Sequence, residues 1–153
     1  MDFQSKNYSC GAAAFVAALY SLGRVIRESA VRKRAGTNKE EGTSEEGLFK
    51  AAAYYGYECK RYKSKSEDAS WRWLLRSLKK GNPVILCVEQ WEHWVAAVGI
   101  FGDGVIVFDP SNVKGPRKHF GIKFLSKEKL KNIWGYKENH ENYFYSIKII
   151  NKE

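Results

Sequence analysis

Cys10 opens the run Cys10-Gly11-Ala12-Ala13-Ala14, an alanine-rich start to an apolar stretch that reads as a helix. The sulfur then sits at a helix N-terminus, where free N–H groups and the positive end of the dipole favour thiolate over thiol. Gly11 leaves the backbone beside the sulfur uncrowded, so a substrate carbonyl can approach. Gln4, six residues earlier, carries an amide able to donate to an oxyanion alongside the Cys10 backbone N–H. Taken alone, the two residues leave a second reading open, a core cysteine and a surface glutamine, because cysteines are often simply buried.

His93 and Asp109 add a base and its orienter. His93 heads a strand-like run, His93-Trp94-Val95-Ala96-Ala97-Val98, and Asp109 ends the next one, Val105-Ile106-Val107-Phe108-Asp109, which Pro110 stops. Gly102-Asp103-Gly104 between them is a tight hairpin signal. A separation of sixteen residues is what two paired arms of seven or eight produce, so both side chains fall at the open end of one hairpin. Asp109 can then accept from the imidazole and fix its tautomer, as a nucleophile–base–acid triad requires. The plainer readings are a surface histidine and a capping aspartate in an Asp-Pro turn. Trp91 and Trp94 flank the histidine and either wall a substrate groove or pack as core and rim. The chemistry such a set performs is acyl transfer through a thioester, and it needs no metal or cofactor. His119 and His140 lie in polar stretches and read as surface residues.

The elements that must position these groups are legible in outline. The first half reads as helical: Cys10 to Leu22 with Phe15, Val16, Leu19, Tyr20 and Leu22 on one stripe, then Val25 to Lys33 ending near Gly36. Thr43-Ser44-Glu45-Glu46 starts a helix that Gly56 ends, and Ser66-Glu67-Asp68 opens another that closes at Gly81-Asn82-Pro83. After Pro83 the period changes to strands: 84–88, 93–100, 105–108, 120–124 and 143–150, with a short helix over 126–133. The expectation is an α+β domain over 1–153, a helical half about 1–81 packed on a sheet half about 82–153, in two layers with a cleft between.

At 153 residues, 44% hydrophobic and 28% charged, with five Trp, nine Tyr and eight Phe, the chain reads as one folded domain. No stretch approaches the roughly 20 apolar residues of a membrane span, and the start lacks a signal-peptide pattern. Cys10, Cys59 and Cys87 are odd in number and widely spaced, which argues against a disulfide scaffold or zinc site and for a reducing, cytoplasmic setting. Cys59 and Cys87 read as inert structural thiols. The net charge of +9 is spread through several clusters, among them Arg32-Lys33-Arg34 and Lys60-Arg61-Tyr62-Lys63-Ser64-Lys65, none of them a nucleic-acid motif. A nucleic-acid partner is therefore not expected.

Gln4…Tyr8-Ser9-Cys10-Gly11-Ala12-Ala13-Ala14, then His93-Trp94-Val95, then Val107-Phe108-Asp109-Pro110 resembles the double-glycine leader peptidases. These are the bacteriocin-processing cysteine peptidases of the papain-like superfamily. Gly81-Asn82-Pro83-Val84-Ile85 is similar to the family's entry to its sheet, and Leu125-Ser126 through Trp134-Gly135 to the segment that follows Asp-Pro. The resemblance implies a papain-like fold, with Gln4 at the oxyanion, Cys10 as nucleophile, His93 as general base and acid, and Asp109 orienting it. It also implies a narrow cleft that takes Gly-Gly before the scissile bond. Where the family often has an acid before its cysteine, this chain has Ser9. Many members are the first domain of a peptide-exporting transporter; no Walker motif or span follows within these residues, so coupled export is not expected.

Three other readings remain at this level. A peptide-binding module on the same fold needs no chemistry. A basic nucleic-acid binder would show steep salt dependence. A thiol acyltransferase keeps the triad and replaces water by an amine or thiol. The oligomeric state is not legible.

Overall fold

The computed structural model describes residues 10–90, 93–110 and 121–151. Its first helix, α1 (Cys10–Ser21), is buried on every side, each residue from Gly11 to Leu19 included. Its alanines let neighbouring elements approach all round, so the helix is central and not a stripe on a surface. Tyr20, expected on the apolar stripe, is instead half exposed in the last turn.

The remaining helices start and stop on local chemistry. α2 (Glu28–Ala35) ends at Gly36, whose φ of 67° supplies the left-handed residue that closes a helix. α3 (Glu45–Tyr54) is capped by Ser44, whose hydroxyl accepts from Gly47 N–H at 3.0 Å. Ser66 caps α4 (Glu67–Lys79) through Ala69 N–H at 3.1 Å, and Ser126 caps α5 (Lys127–Trp134) through Lys129 N–H at 3.3 Å. A side chain at Gly47 would place its Cβ 2.2 Å from the Ala35 carbonyl oxygen, so glycine is what lets α2 and α3 lie so close.

Among the described residues, seven strands form one antiparallel sheet: β1 (Tyr57–Ser64), β2 (Val84–Val88), β3 (His93–Phe101), β4 (Gly104–Phe108), β5 (Ile122–Ser126), β6 (Gly135–Glu138) and β7 (Glu141–Asn151). The order is β1-β7-β2-β3-β4-β5, with β6 paired to β7 through a hairpin. That hairpin turns at Asn139 and His140, both at positive φ, and leaves His140 exposed.

Two expectations are corrected here. The segment 57–64 belongs to the sheet, so the first 81 residues are not all helical. Its lysines and arginine disguise it in the sequence; they suit a sheet edge, where charge discourages further pairing. The domain also has three layers, not two. Ile85, Cys87, Ala96, Ile147 and Ile149 face α1, α2 and α3, while Val84, Leu86, Val88, Val95 and Val107 face α4 and α5. β2 is buried along its whole length, which is why it is a continuous apolar run without alternation.

Some of the basic residues meet acidic partners across the fold. Arg61 and Lys63 on β1 meet Glu45 and Glu138, Lys65 meets Glu141, and Lys127 and Lys131 meet Asp68 and Glu67.

Candidate active site

Cys10 is the first residue of α1 and is half-buried. The helix start is held from below by the loop that leads into α3. A Cβ on Gly11 would come 2.7 Å from Thr43 Cβ and 3.3 Å from Trp94 Cδ1. The space beside Gly11 is therefore filled by Thr43 and Trp94, not kept open for a substrate. Thr43 is buried and shares a 2.8 Å hydroxyl hydrogen bond with Thr37. Gly11 thus acts by close packing, which sets where the sulfur stands.

Trp94 turns inward as well. It is 8% exposed, lies in the core between sheet and α1, and meets Tyr145 edge-on with centroids 6.3 Å apart. The Tyr145 hydroxyl donates to Glu45, which also pairs with Arg61, so α3, β1 and β7 are tied together beneath the site. Trp94 is therefore a core residue.

His93 begins β3 directly after the connection from β2. Glu89 and Gln90 in that connection both have positive φ, 54° and 57°, a conformation uncommon for side-chain-bearing residues and one that clusters near functional sites. Two anchors hold it. Glu89 N–H donates to the Ile133 carbonyl at 2.8 Å, and the Gln90 amide bridges β6, donating to Gly135 O and accepting from Lys137 N–H, each at 3.2 Å. In sequence Gln90 reads only as part of the polar connection before the histidine.

The imidazole of His93 is buried, and its Nε2–H donates to Asp109 Oδ1 at 2.7 Å. It also has a hydrogen-bonding interaction with the Cys10 side chain. With Nε2 committed to the carboxylate, Nδ1 is the nitrogen left for the sulfur. Burial is the largest single influence on the ring and disfavours its charge. Together, the hydrogen bonds to Asp109 and Cys10 and the attraction of both outweigh it, raising the imidazolium to about 10.

Asp109 follows β4 at the position expected from the hairpin. A β-bulge between Ala97 and Gly99 shifts the register, so Ala96 lies opposite Phe108. The Asp109 backbone N–H donates to Gly121 O at 2.8 Å, and its second carboxylate oxygen accepts from Lys123 Nζ at 2.8 Å. Lys123 is a residue sequence reasoning missed, since nothing local marks a lysine on a neighbouring strand. Cys10, His93 and Asp109 are thus brought together, while Gln4 and Trp91 lie outside the described residues.

The other thiols differ in kind. Burial, followed by nearby negative charge, pushes Cys59 and Cys87 up to about 12. Among the described residues, no three His, Cys, Asp or Glu side chains converge as metal ligands would.

An apolar pocket of about 190 Å³ opens between α1 and the β3–β4–β5 strands, lined by Ala17, Tyr20 and Ser21 on one side and Val98, Ile106, Phe108 and Ile122 on the other. Phe108 and Ile122 place it beside Asp109 and Lys123.

No curated protein matches the sequence. Among solved structures, the chain is similar to the peptidase domain of Streptococcus ComA, a bi-functional ABC transporter involved in quorum sensing. The TM-score is 0.64 at 20% identity, over 94% of this chain and 95% of that one. A double-glycine-motif protease from an AMS/PCAT transporter, in complex with its leader peptide, gives 0.62 at 21% identity, over 94% and 88%. The peptidase domain of Streptococcus mutans ComA gives 0.59 at 20%, over 95% and 97%. At these identities the likeness is one of fold, the papain-like peptidase fold. The Peptidase C39 family model matches residues 1–137, and the chain belongs to that family.

Proposed function

We propose that this chain is a cysteine peptidase that works through Cys10, His93 and Asp109 and cleaves peptides after Gly-Gly. The observation that carries the reading is the His93 imidazole, held between the Asp109 carboxylate at 2.7 Å and the Cys10 sulfur. The Cys10 sulfur attacks the scissile carbonyl, and the negative oxygen is stabilised by the Cys10 backbone N–H and the Gln4 amide. His93, protonated at neutral pH, gives its proton to the leaving amine as the C–N bond breaks and a thioester remains. The neutral imidazole then takes a proton from water, whose oxygen attacks the thioester; the C–S bond breaks, the acid leaves, and the free sulfur and protonated His93 of the starting state are restored. Asp109 holds the ring in one orientation throughout.

Family membership supports peptide hydrolysis, and the fold shared with a double-glycine-motif protease supports Gly-Gly before the scissile bond. The apolar pocket beside Asp109 suits an apolar side chain of a peptide substrate. Three free cysteines suit a reducing, cytoplasm-like compartment. No helix among the described residues is long and apolar enough to cross a membrane.

The test is incubation of the purified protein with peptides carrying an internal Gly-Gly, followed by product mass. Hydrolysis yields a fragment ending in a free Gly-Gly acid; mass matching an added amine or thiol would assign acyl transfer instead. Cys10→Ala is expected to abolish product formation. Cleavage at the wild-type rate by Cys10→Ala, or none by the wild type, would overturn the reading.

A further inference from the structure

We infer that Lys123 is a positioning residue for the Asp109–His93 pair, an inference that rests on the catalytic reading of Cys10, His93 and Asp109. Asp109 uses one carboxylate oxygen for His93 Nε2, at 2.7 Å, and the other for Lys123 Nζ, at 2.8 Å. An aspartate carboxylate rotates in a broad, roughly two-fold well, so a single hydrogen bond leaves its plane soft. A partner on each oxygen fixes the plane and aims Oδ1 at the ring.

The fold prepares this arrangement. Lys123 stands on β5 opposite Val107, two residues before Asp109, and Phe108 pairs with Ile122. The ladder extends one step further through Asp109 N–H and Gly121 O, so the aspartate backbone is pinned on the same strand that carries the lysine. The carboxylate side chain is 13% exposed and the lysine 53%. The ammonium therefore meets a largely desolvated carboxylate from the solvent side and favours its ionised form. Lys123 sits behind Asp109 and acts through it.

Because the lysine is half in water, its effect is bounded by that of a solvated ion pair, up to about 1 kcal/mol, or about fivefold in rate. Lys123→Met is expected to lower kcat on a Gly-Gly peptide by about threefold to fivefold with KM unchanged, and Lys123→Arg to restore it. In an Asp109→Asn background, Lys123→Met should change kcat no further, since a neutral amide needs no cation. The low-field ¹H NMR signal of the His93 Nε2 proton, which requires the oriented carboxylate, should broaden or vanish in Lys123→Met and persist in Lys123→Arg.

An unchanged proton signal in Lys123→Met overturns the inference, as does an equal kcat loss in the Asp109→Asn background. The proton signal is independent of turnover. A wild type that shows the signal but cleaves nothing refutes the peptidase reading while leaving the role of Lys123 measured.

Discussion

Replacing Asp109 by asparagine keeps an acceptor oxygen near His93 but removes the charge that makes the 2.7 Å hydrogen bond a strong one. Hydrogen bonds to charged groups contribute about 1.5–3 kcal/mol, and a pKa unit corresponds to about 1.36 kcal/mol. With Asp109 only 13% exposed, solvent screens little of this. His93 should then titrate about 1–2 units below its wild-type value of about 10. Following the ring resonances of His93 by NMR across pH measures this directly.

The same shift predicts a stability difference with a defined pH window. Native His93 binds its proton more tightly than the unfolded chain does, so it stabilises the fold fully below about 6.5, and that contribution is lost as pH rises through about 10. In urea unfolding, the wild type should exceed Asp109→Asn by about 1.5–3 kcal/mol near neutral pH. The gap should shrink towards pH 10, because a neutral imidazole N–H holds the carboxylate less strongly than the imidazolium does. A His93 titration unmoved by the substitution, or a gap that does not vary with pH, would refute the assignment of Asp109 as the partner that holds the imidazolium.

Iodoacetamide at pH 7 should label Cys10 alone, because burial pushes Cys59 and Cys87 up to about 12; peptide mass identifies the site, and comparable labelling of Cys59 would contradict it. His93→Ala should slow labelling of Cys10 about tenfold or more, since the sulfur loses the adjacent cation. Gly11→Ala should destabilise the protein by about 1–3 kcal/mol, because the added methyl lands 2.7 Å from Thr43 Cβ; an unchanged urea midpoint would show that this loop yields freely.

The sequence alone determined what neighbours along the chain can decide. Ser44, Ser66 and Ser126 announce helix starts through their own hydroxyls, and Gly36 announces a stop through its left-handed φ. The Gly102-Asp103-Gly104 turn pairs β3 with β4 and puts His93 and Asp109 at the same end of the hairpin, although a bulge between Ala97 and Gly99 sets the final register. The order of motifs also points to the papain-like fold.

The tertiary structure decided what depends on residues far apart. The charged run 57–64 becomes a strand because β7 pairs along it, Tyr57 with Asn151 through Ser64 with Phe144, and no local pattern encodes that partner. The sheet is covered on both faces because β7 slots between β1 and β2 and α4 returns to the face opposite α1. In sequence Gly11 reads as room beside the sulfur and Trp94 as either groove wall or packing; it is the folded chain that sets Thr43 against Gly11 and Tyr145 against Trp94. Lys123 reaches Asp109 only because β5 runs beside β4. Local signals specify an element and its ends; which face it buries, and which charge it meets, are set by partners brought near only when the whole chain has folded.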